Sequence, residues 1–450
     1  MKKISKIAVR ARLFWFVADP VQASGQAYRY IDDGLLHVEG GLVCAAGEAS
    51  ELLPQLANDV TLIDHRPHLV MPGFIDAHIH FPQTQVIASY GEQLLDWLQK
   101  YTFPAEMRYA DPALAALQAR FFVDTLLNHG TTTAVVYGSV HPQSAEAFFV
   151  ESERANTRMI AGKVMMDRNA PDGLLDTAQR GYDESEALIG KWHRRGRQLY
   201  AITPRFAITS TVEQLQACGA LVKAYPDCYM QTHISENLRE IELAQSLFPA
   251  AADYTDIYDT YGLLGPRSLF GHCIHLSERE LARFSETQSV AVFCPTSNLF
   301  IGSGLFDWAK VARKDRPVPI ALATDVGGGT SYSMLQTAAE AYKVLQLQGQ
   351  SLSALTAFYT MTLGNAKALQ LQDKIGSFER GCEADFVVLD AHATPVMAHR
   401  MRCARDLLEE LFILMTLGDD RAIAATYVMG ERHVPMPAET AVSTGEAAIP

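Results

Sequence analysis

Two histidines one residue apart, His78 and His80, follow the apolar run Leu69-Val70-Met71 and its continuation Phe74-Ile75-Asp76-Ala77. In an extended chain alternate side chains share a face, so both imidazoles can reach one ion. Neutral imidazole is the commonest metal ligand, and a pair suits zinc or iron. A lone His-x-His is as readily two strand-end histidines with hydrogen bonds of their own; further ligands on later strands would decide for a metal. They are present. Residues 228–233 end in His233 and run on as Ile234-Ser235-Glu236-Asn237. Residues 268–272 end in His272, with His275 just beyond, and residues 320–325 end in Asp325 ahead of Gly327-Gly328-Gly329. Three histidines and a carboxylate complete a ligand set for one divalent ion, with a position left for water.

Those residues need elements to carry them. Between about 69 and 372 the chain repeats strand, polar residue, helix, with strands predicted over 69–76, 132–137, 159–166, 199–204, 228–233, 268–272, 289–294 and 320–325. Helices are predicted over 112–127, 144–155, 212–225, 239–247, 277–285 and 333–348, from apolar residues at three- and four-residue spacing. Eight such units suit a closed (β/α)8 barrel, whose C-terminal strand ends converge on one mouth. Short strands with turn residues between them come from both ends: 7–11, 34–38 and 41–45 at the start, 384–390 and 425–432 with a turn at Gly430 at the finish. The predicted fold is α/β, with a small β-sandwich domain from residues 1–68 and 373–450 and the barrel, 69–372, inserted between them. Residues 438–450 are small and polar and read as a loose tail.

Composition narrows the function classes. A net charge of −13 disfavours nucleic-acid binding, which needs a basic face. No apolar run is long enough for a membrane span, and Arg10 and Arg12 interrupt the segment after Met1-Lys2-Lys3 that could have been a signal peptide. Seven cysteines without a Cys-x-x-Cys pair fit reduced thiols in a cytoplasmic enzyme.

The sequence resembles the amidohydrolase superfamily through Pro72-Gly73-Phe74-Ile75-Asp76-Ala77-His78-Ile79-His80, and within it the guanine deaminases. The finer likeness rests on His78-Ile79-His80-Phe81-Pro82-Gln83 and six further stretches. They are Tyr90-Gly91-Glu92-Gln93-Leu94-Leu95-Asp96-Trp97-Leu98, Tyr101-Thr102-Phe103-Pro104-Ala105-Glu106, Gly162 to Asn169, Thr203-Pro204-Arg205-Phe206, His233 to Asn237 and Phe293 to Asn298. The resemblance implies metal ligands His78, His80, His233 and Asp325, with His272 beside them holding the attacking water. It also implies a homodimer acting on a small purine base in purine salvage or breakdown. Superfamily members with two metals bridge them by a carboxylated lysine on the fourth strand. Here Tyr200-Ala201-Ile202-Thr203-Pro204-Arg205 has no lysine, which favours one divalent ion, zinc or iron.

Hydrolytic deamination needs an acidified water, a proton for a ring nitrogen and another for the departing amine. Glu236, three residues past His233, suits the proton shuttle, although a glutamate opening a helix is also favourable by itself. Asp325 can accept the proton lost by water. Arg205 offers donors to a purine carbonyl, Gln83 a donor and an acceptor, and Phe206 follows Arg205 at the same mouth. In guanine deaminases the matching positions hold the base, which implies Arg205 at O6 and Gln83 at the purine edge. Trp97 and Tyr101 read as core aromatics.

The rival reading keeps this scaffold and changes the substrate to 8-oxoguanine, a pterin or an aminotriazine. A non-enzymatic barrel would be expected to have lost ligands, and none is lost. The smaller deaminase fold with Pro-Cys-x-x-Cys is excluded, because Cys294-Pro295 has the wrong order and no partner cysteine.

Overall fold

The computed structural model describes residues 6–437 apart from 24 and 92. Met1-Lys2-Lys3, Glu92 and the expected tail at 438–450 lie outside the described residues.

Eight successive parallel strands form the barrel: Phe74–His80, Thr131–Tyr137, Arg158–Gly162, Leu199–Pro204, Tyr229–Ile234, Ser268–His272, Val290–Phe293 and Ile320–Leu322. A two-residue strand, Val164–Met165, continues the third beyond Lys163 and pairs with the fourth. Each of the eight predicted regions contributes a barrel strand, the first only from Phe74 onward. Their side chains divide into two buried sets. Ile75, Ala77, Val135, Ile160, Ala201, Tyr229, Leu269 and Val292 fill the interior together with Leu369, Leu371 and Ile375. Phe74, Ile79, Val136, Ala161, Ile202, Met230, Phe270 and Phe293 face the surrounding helices.

Closure between the first and last strands is polar. The Asp325 amide donates to His78 O at 2.9 Å. Thr324 N donates to Asp76 Oδ1 at 3.1 Å, and the Thr324 hydroxyl bonds the other oxygen. Asn365 Nδ2 donates to Ile75 O (2.7 Å) and Leu322 O (2.8 Å), while its Oδ1 accepts from Leu322 N (3.0 Å). One buried amide thus ties both strands, which need it because buried backbone groups must be paired.

The small domain is one seven-stranded mixed sheet. Its strand order is Glu431–Arg432, Ile423–Val428, Phe386–Leu389, Thr61–Pro72, Lys6–Phe16, Tyr28–Glu39 and Leu42–Glu48. The sheet coils on itself, with Val43 N donating to Cys382 O (2.9 Å) and Ala384 N to Gly41 O (2.8 Å). The two layers of the expected sandwich are therefore the two ends of a single sheet, packed around Val9, Leu13, Trp15, Val70, Phe386 and Tyr427.

Two differences from the sequence reading have physical causes. The strand predicted over 69–76 is two strands: Thr61–Pro72 belongs to the small sheet and Phe74–His80 opens the barrel, with Gly73 N bonded to Asp385 O at 3.0 Å between them. Both halves are buried, so hydropathy runs on across the joint. The C-terminal part also contains two helices, Pro395–Met401 and Leu407–Leu417. The second inserts Leu411, Leu414 and Met415 into the helical layer and stacks Phe412 edge-on to Tyr342 at 5.2 Å.

Candidate active site

The first strand carries its histidines inward through a bulge. Ile75 and Ala77 face the interior, but pairing with Thr131–Tyr137 slips between Asp76 and Ile79. The extra residue re-phases the strand, so that His78 and His80 take the inner face and Ile79 the outer. Asp76, fully buried, accepts from His78 N at 3.2 Å and so holds the bulge against the eighth strand. Burial pushes its carboxyl up to about 7.

All four polar strand ends meet. His78 Nε2 lies 3.2 Å and His80 Nε2 3.4 Å from Asp325 Oδ1. His80 Nε2 and His233 Nε2 face each other at 3.1 Å, and His272 Nε2 lies 3.7 Å from Asp325 Oδ2. His78 packs so closely against the sixth strand that a Cβ at Gly271 would sit 2.7 Å from its ring. His272, Cys273, Ser235 and Asp325 all have positive φ, between +50° and +74°. Non-glycine residues hold that conformation at a cost, and it turns these side chains over the mouth. The eighth strand ends at Leu322, so Asp325 stands in the following loop rather than at the strand end itself.

The ring tautomers follow from their outer partners. His233 Nδ1 lies 2.7 Å from Arg205 O, a carbonyl that only accepts, so Nδ1 bears the proton and Nε2 a lone pair. His272 Nδ1 is held the same way by Asn298 Oδ1 at 2.8 Å. Burial, then neighbouring cations and rings, pushes His78, His80 and His233 well below the ordinary imidazole value, which keeps them neutral. His78 Nε2 is a buried atom without a hydrogen-bond partner. The His233 Nε2 lone pair thus faces the Nε2 atoms of His78 and His80 and an Asp325 oxygen, a convergence of donor atoms that suits a cation. Neutral imidazoles plus one carboxylate are the donor set of zinc or iron, and the residues present fit such an ion. Cys294 also lies within ligand range of His78, His272 and Asp325, but burial pushes its thiol well up and Sγ faces Val292 O at 3.7 Å.

Glu236 follows on the loop after His233. Its Oε2 is 3.4 Å from His272 Nε2, and Oε1 accepts from Ser303 Oγ at 3.1 Å. Burial, reinforced by the charge of Asp325, pushes Glu236 up to about 8, while burial puts Asp325 at about 6. Two carboxyls whose surroundings make Glu236 the more basic and Asp325 the less suit a proton donor and acceptor pair. The helix opening after Glu236 is capped by Asn237 and Glu240, whose Oε2 takes the Glu236 and Asn237 amides at 2.9 and 3.2 Å.

A cleft opens beside these groups, and Gln83, Arg205, Phe206, Trp97 and Leu94 line it. The Phe206 ring stands edge-on to His233 at 6.0 Å. Eight of the nine sequence-predicted site residues therefore line one space, and His78 joins them through Asp325 Oδ1. His275 lies behind it, bonding Ser303 O at 3.0 Å. Sequence reasoning missed Glu106, which binds both Gln83 and Arg205, and also Asn298, Ser303 and the wall provided by Trp97. Glu106 and Asn298 stand in two of the stretches that carried the resemblance, which was the available signal. Ser303 gave none.

The amidohydrolase family model matches residues 69–432. Guanine deaminase of Escherichia coli K12 is 51% identical over 412 residues, 92% of this chain and 93% of that protein. Human guanine deaminase is 34% identical over 379 residues, 81% of this chain and 83% of its own. Among solved structures, E. coli guanine deaminase superposes with a TM-score of 0.92 at 47% identity, covering 97% of this chain and all of that one. The C. acetobutylicum guanine deaminase, solved with guanine bound in its active site, gives 0.85 at 26% identity, covering 95% of this chain and all of that one. The chain belongs to the amidohydrolase family and, within it, to the guanine deaminases.

Proposed function

We propose that this protein hydrolyses guanine to xanthine and ammonia. The observation that carries the proposal is the joining of two constellations in one cleft: the imidazole–carboxylate cluster of His78, His80, His233 and Asp325, and the base-reading side chains Gln83 and Arg205. The cluster would hold one divalent ion, zinc in the first place and iron as the other candidate. Such an ion, when bound, lowers the pKa of a water from ~15.7 towards ~7.

The protein's own groups do the rest. Arg205 and Gln83 hold the base edge, and Phe206 flanks it. Asp325 accepts a proton from the attacking water, and His272, its tautomer fixed by Asn298, orients that water. Glu236 gives its proton to a ring nitrogen of the attacked amidine, takes one back from the hydroxyl of the adduct and passes it to the amine as the C–N bond breaks, after which the proton held by Asp325 restores Glu236. Burial of these groups excludes bulk water and strengthens each interaction.

The same reading includes a homodimer, a cytoplasmic setting and a role in purine salvage or breakdown, all from the family resemblance. None of the seven cysteines is in a disulfide, in keeping with a reducing compartment. No helix among the described residues is long and apolar enough to cross a membrane. The division into 1–68, 69–372 and 373–450 belongs to this proposal too, with the strand Thr61–Pro72 reaching across its first boundary.

Incubating purified, metal-loaded protein with guanine tests the function. Xanthine and ammonia in equal amounts are expected. Survival of guanine while 8-oxoguanine, a pterin or an aminotriazine is deaminated would move the substrate and leave the chemistry.

A further inference from the structure

Glu106 is wholly buried, and its two oxygens are engaged by the two side chains that face the base. Arg205 Nη1 lies 2.9 Å from Oε1 and 2.7 Å from Oε2, and Gln83 Nε2 donates to Oε1 at 2.9 Å. A charge-assisted contact from one guanidinium nitrogen to both carboxylate oxygens is strong and fixes the fork in place. The consequence for Gln83 is greater. A carboxylate accepts and cannot donate, so the Gln83 amide must turn its NH2 toward Glu106. Its carbonyl Oε1 is thereby swung to the other side, where it rests against Gly327. That residue has φ +123°, and a Cβ there would stand 1.9 Å from Oε1. Arg205 is engaged through Nη1 and lines the cleft, and no hydrogen bond among the described residues takes up its Nη2.

The cleft therefore presents a fixed donor from Arg205 together with a fixed acceptor from Gln83. That pair is the complement of a lactam, in which a ring carbonyl accepts and the adjacent ring N–H donates. We propose that Glu106 is the specificity-determining positioning residue of this site, selecting 2-amino heterocycles that carry a 6-oxo, N1–H lactam by locking the amide orientation of Gln83 and the fork of Arg205. This rests on the guanine-deaminase reading above. Glu106 touches neither the substrate nor the reacting atoms; it acts through its two partners. A buried polar pair matched to a substrate group rejects an analogue lacking that group, because its own hydrogen bonds are then left unmade.

The test compares guanine with 2-aminopurine, which has the same amidine carbon and amine but neither the C6 oxygen nor the N1–H. Metal-loaded wild type, Glu106→Gln and Glu106→Asp are assayed for kcat and KM on both, with metal content and Tm measured alongside. In Glu106→Gln the neutral amide lets Gln83 flip. The guanine kcat/KM is expected to fall roughly a hundredfold, mainly through KM, and the preference for guanine over 2-aminopurine at least about tenfold. Glu106→Asp, which keeps the charge with a shorter reach, should be intermediate in preference, and it carries the same comparison if the glutamine variant does not fold. Equal losses on both substrates, or an unchanged preference, would show a purely structural role and overturn the proposal. A wild type inactive on guanine but bearing metal would overturn the functional reading itself, and this inference with it.

Discussion

Glu236 and His272 face each other across the barrel mouth, with Oε2 3.4 Å from Nε2, each held from behind by a different residue. Ser303 fixes the carboxyl and Asn298 fixes the ring. The proton-carrying group is therefore set by contacts that leave the cluster of His78, His80 and His233 untouched.

Replacing Glu236 by Gln should therefore separate chemistry from metal binding. Guanine turnover is expected to fall about a thousandfold, the range of a lost general acid–base group, with metal content unchanged by elemental analysis. Loss of metal together with activity would place Glu236 among the ligands instead.

Metal removal should abolish activity reversibly. After dialysis against a strong chelator, guanine deamination is expected to vanish, and added zinc or ferrous ion should restore it at about one ion per chain. Restoration at two ions per chain would contradict a fourth strand without a lysine.

Asn365 closes the barrel and lies away from the chemistry. Asn365→Ala removes the partners of Ile75 O, Leu322 O and Leu322 N, three buried backbone groups. We expect a loss of about 3 kcal/mol in urea unfolding, with KM for guanine little changed in the folded fraction. A loss below about 1 kcal/mol would mean that water replaces the amide.

The joint between barrel and small sheet should give a pH-dependent term. Arg158 and Arg197 both bond Glu383, and Arg197 also bonds Asp385, all of them buried. Burial alone would raise the Glu383 carboxyl; the Arg158 hydrogen bond and the charge of Arg197 outweigh it and hold it below its usual value. A carboxylate lowered on folding stabilises above its unfolded pKa of about 4.3, and that contribution is lost as pH falls through the folded value. Arg197→Met, which leaves Asp385 without its cation and Glu383 with Arg158 alone, should cost about 3–5 kcal/mol at pH 7. The deficit should narrow as pH drops below about 4, read by Tm across that range. A deficit independent of pH would assign the cost to packing.

Much of the site was legible before folding, because its chemistry is written in residue types at strand ends. His78 and His80 at spacing two, His233, His272 and Asp325 at three later strand ends, and Glu236 just past a ligand need only local periodicity to be recognised. The eight barrel strands were legible for the same reason: each is a short, largely buried run between helical patterns. The tertiary structure decided what periodicity cannot carry. The change of sheet at Gly73 is silent in hydropathy, since Val70 and Ile75 are equally buried on either side of it. The bulge after Asp76 is set by pairing with Thr131–Tyr137, and without it the even-numbered histidines would face the helices. Glu106 is 99 residues from Arg205 and 23 from Gln83, and its meaning lies in the three hydrogen bonds that join them. Spacing along the chain reports which residues share a face; only the closed barrel determines which faces meet.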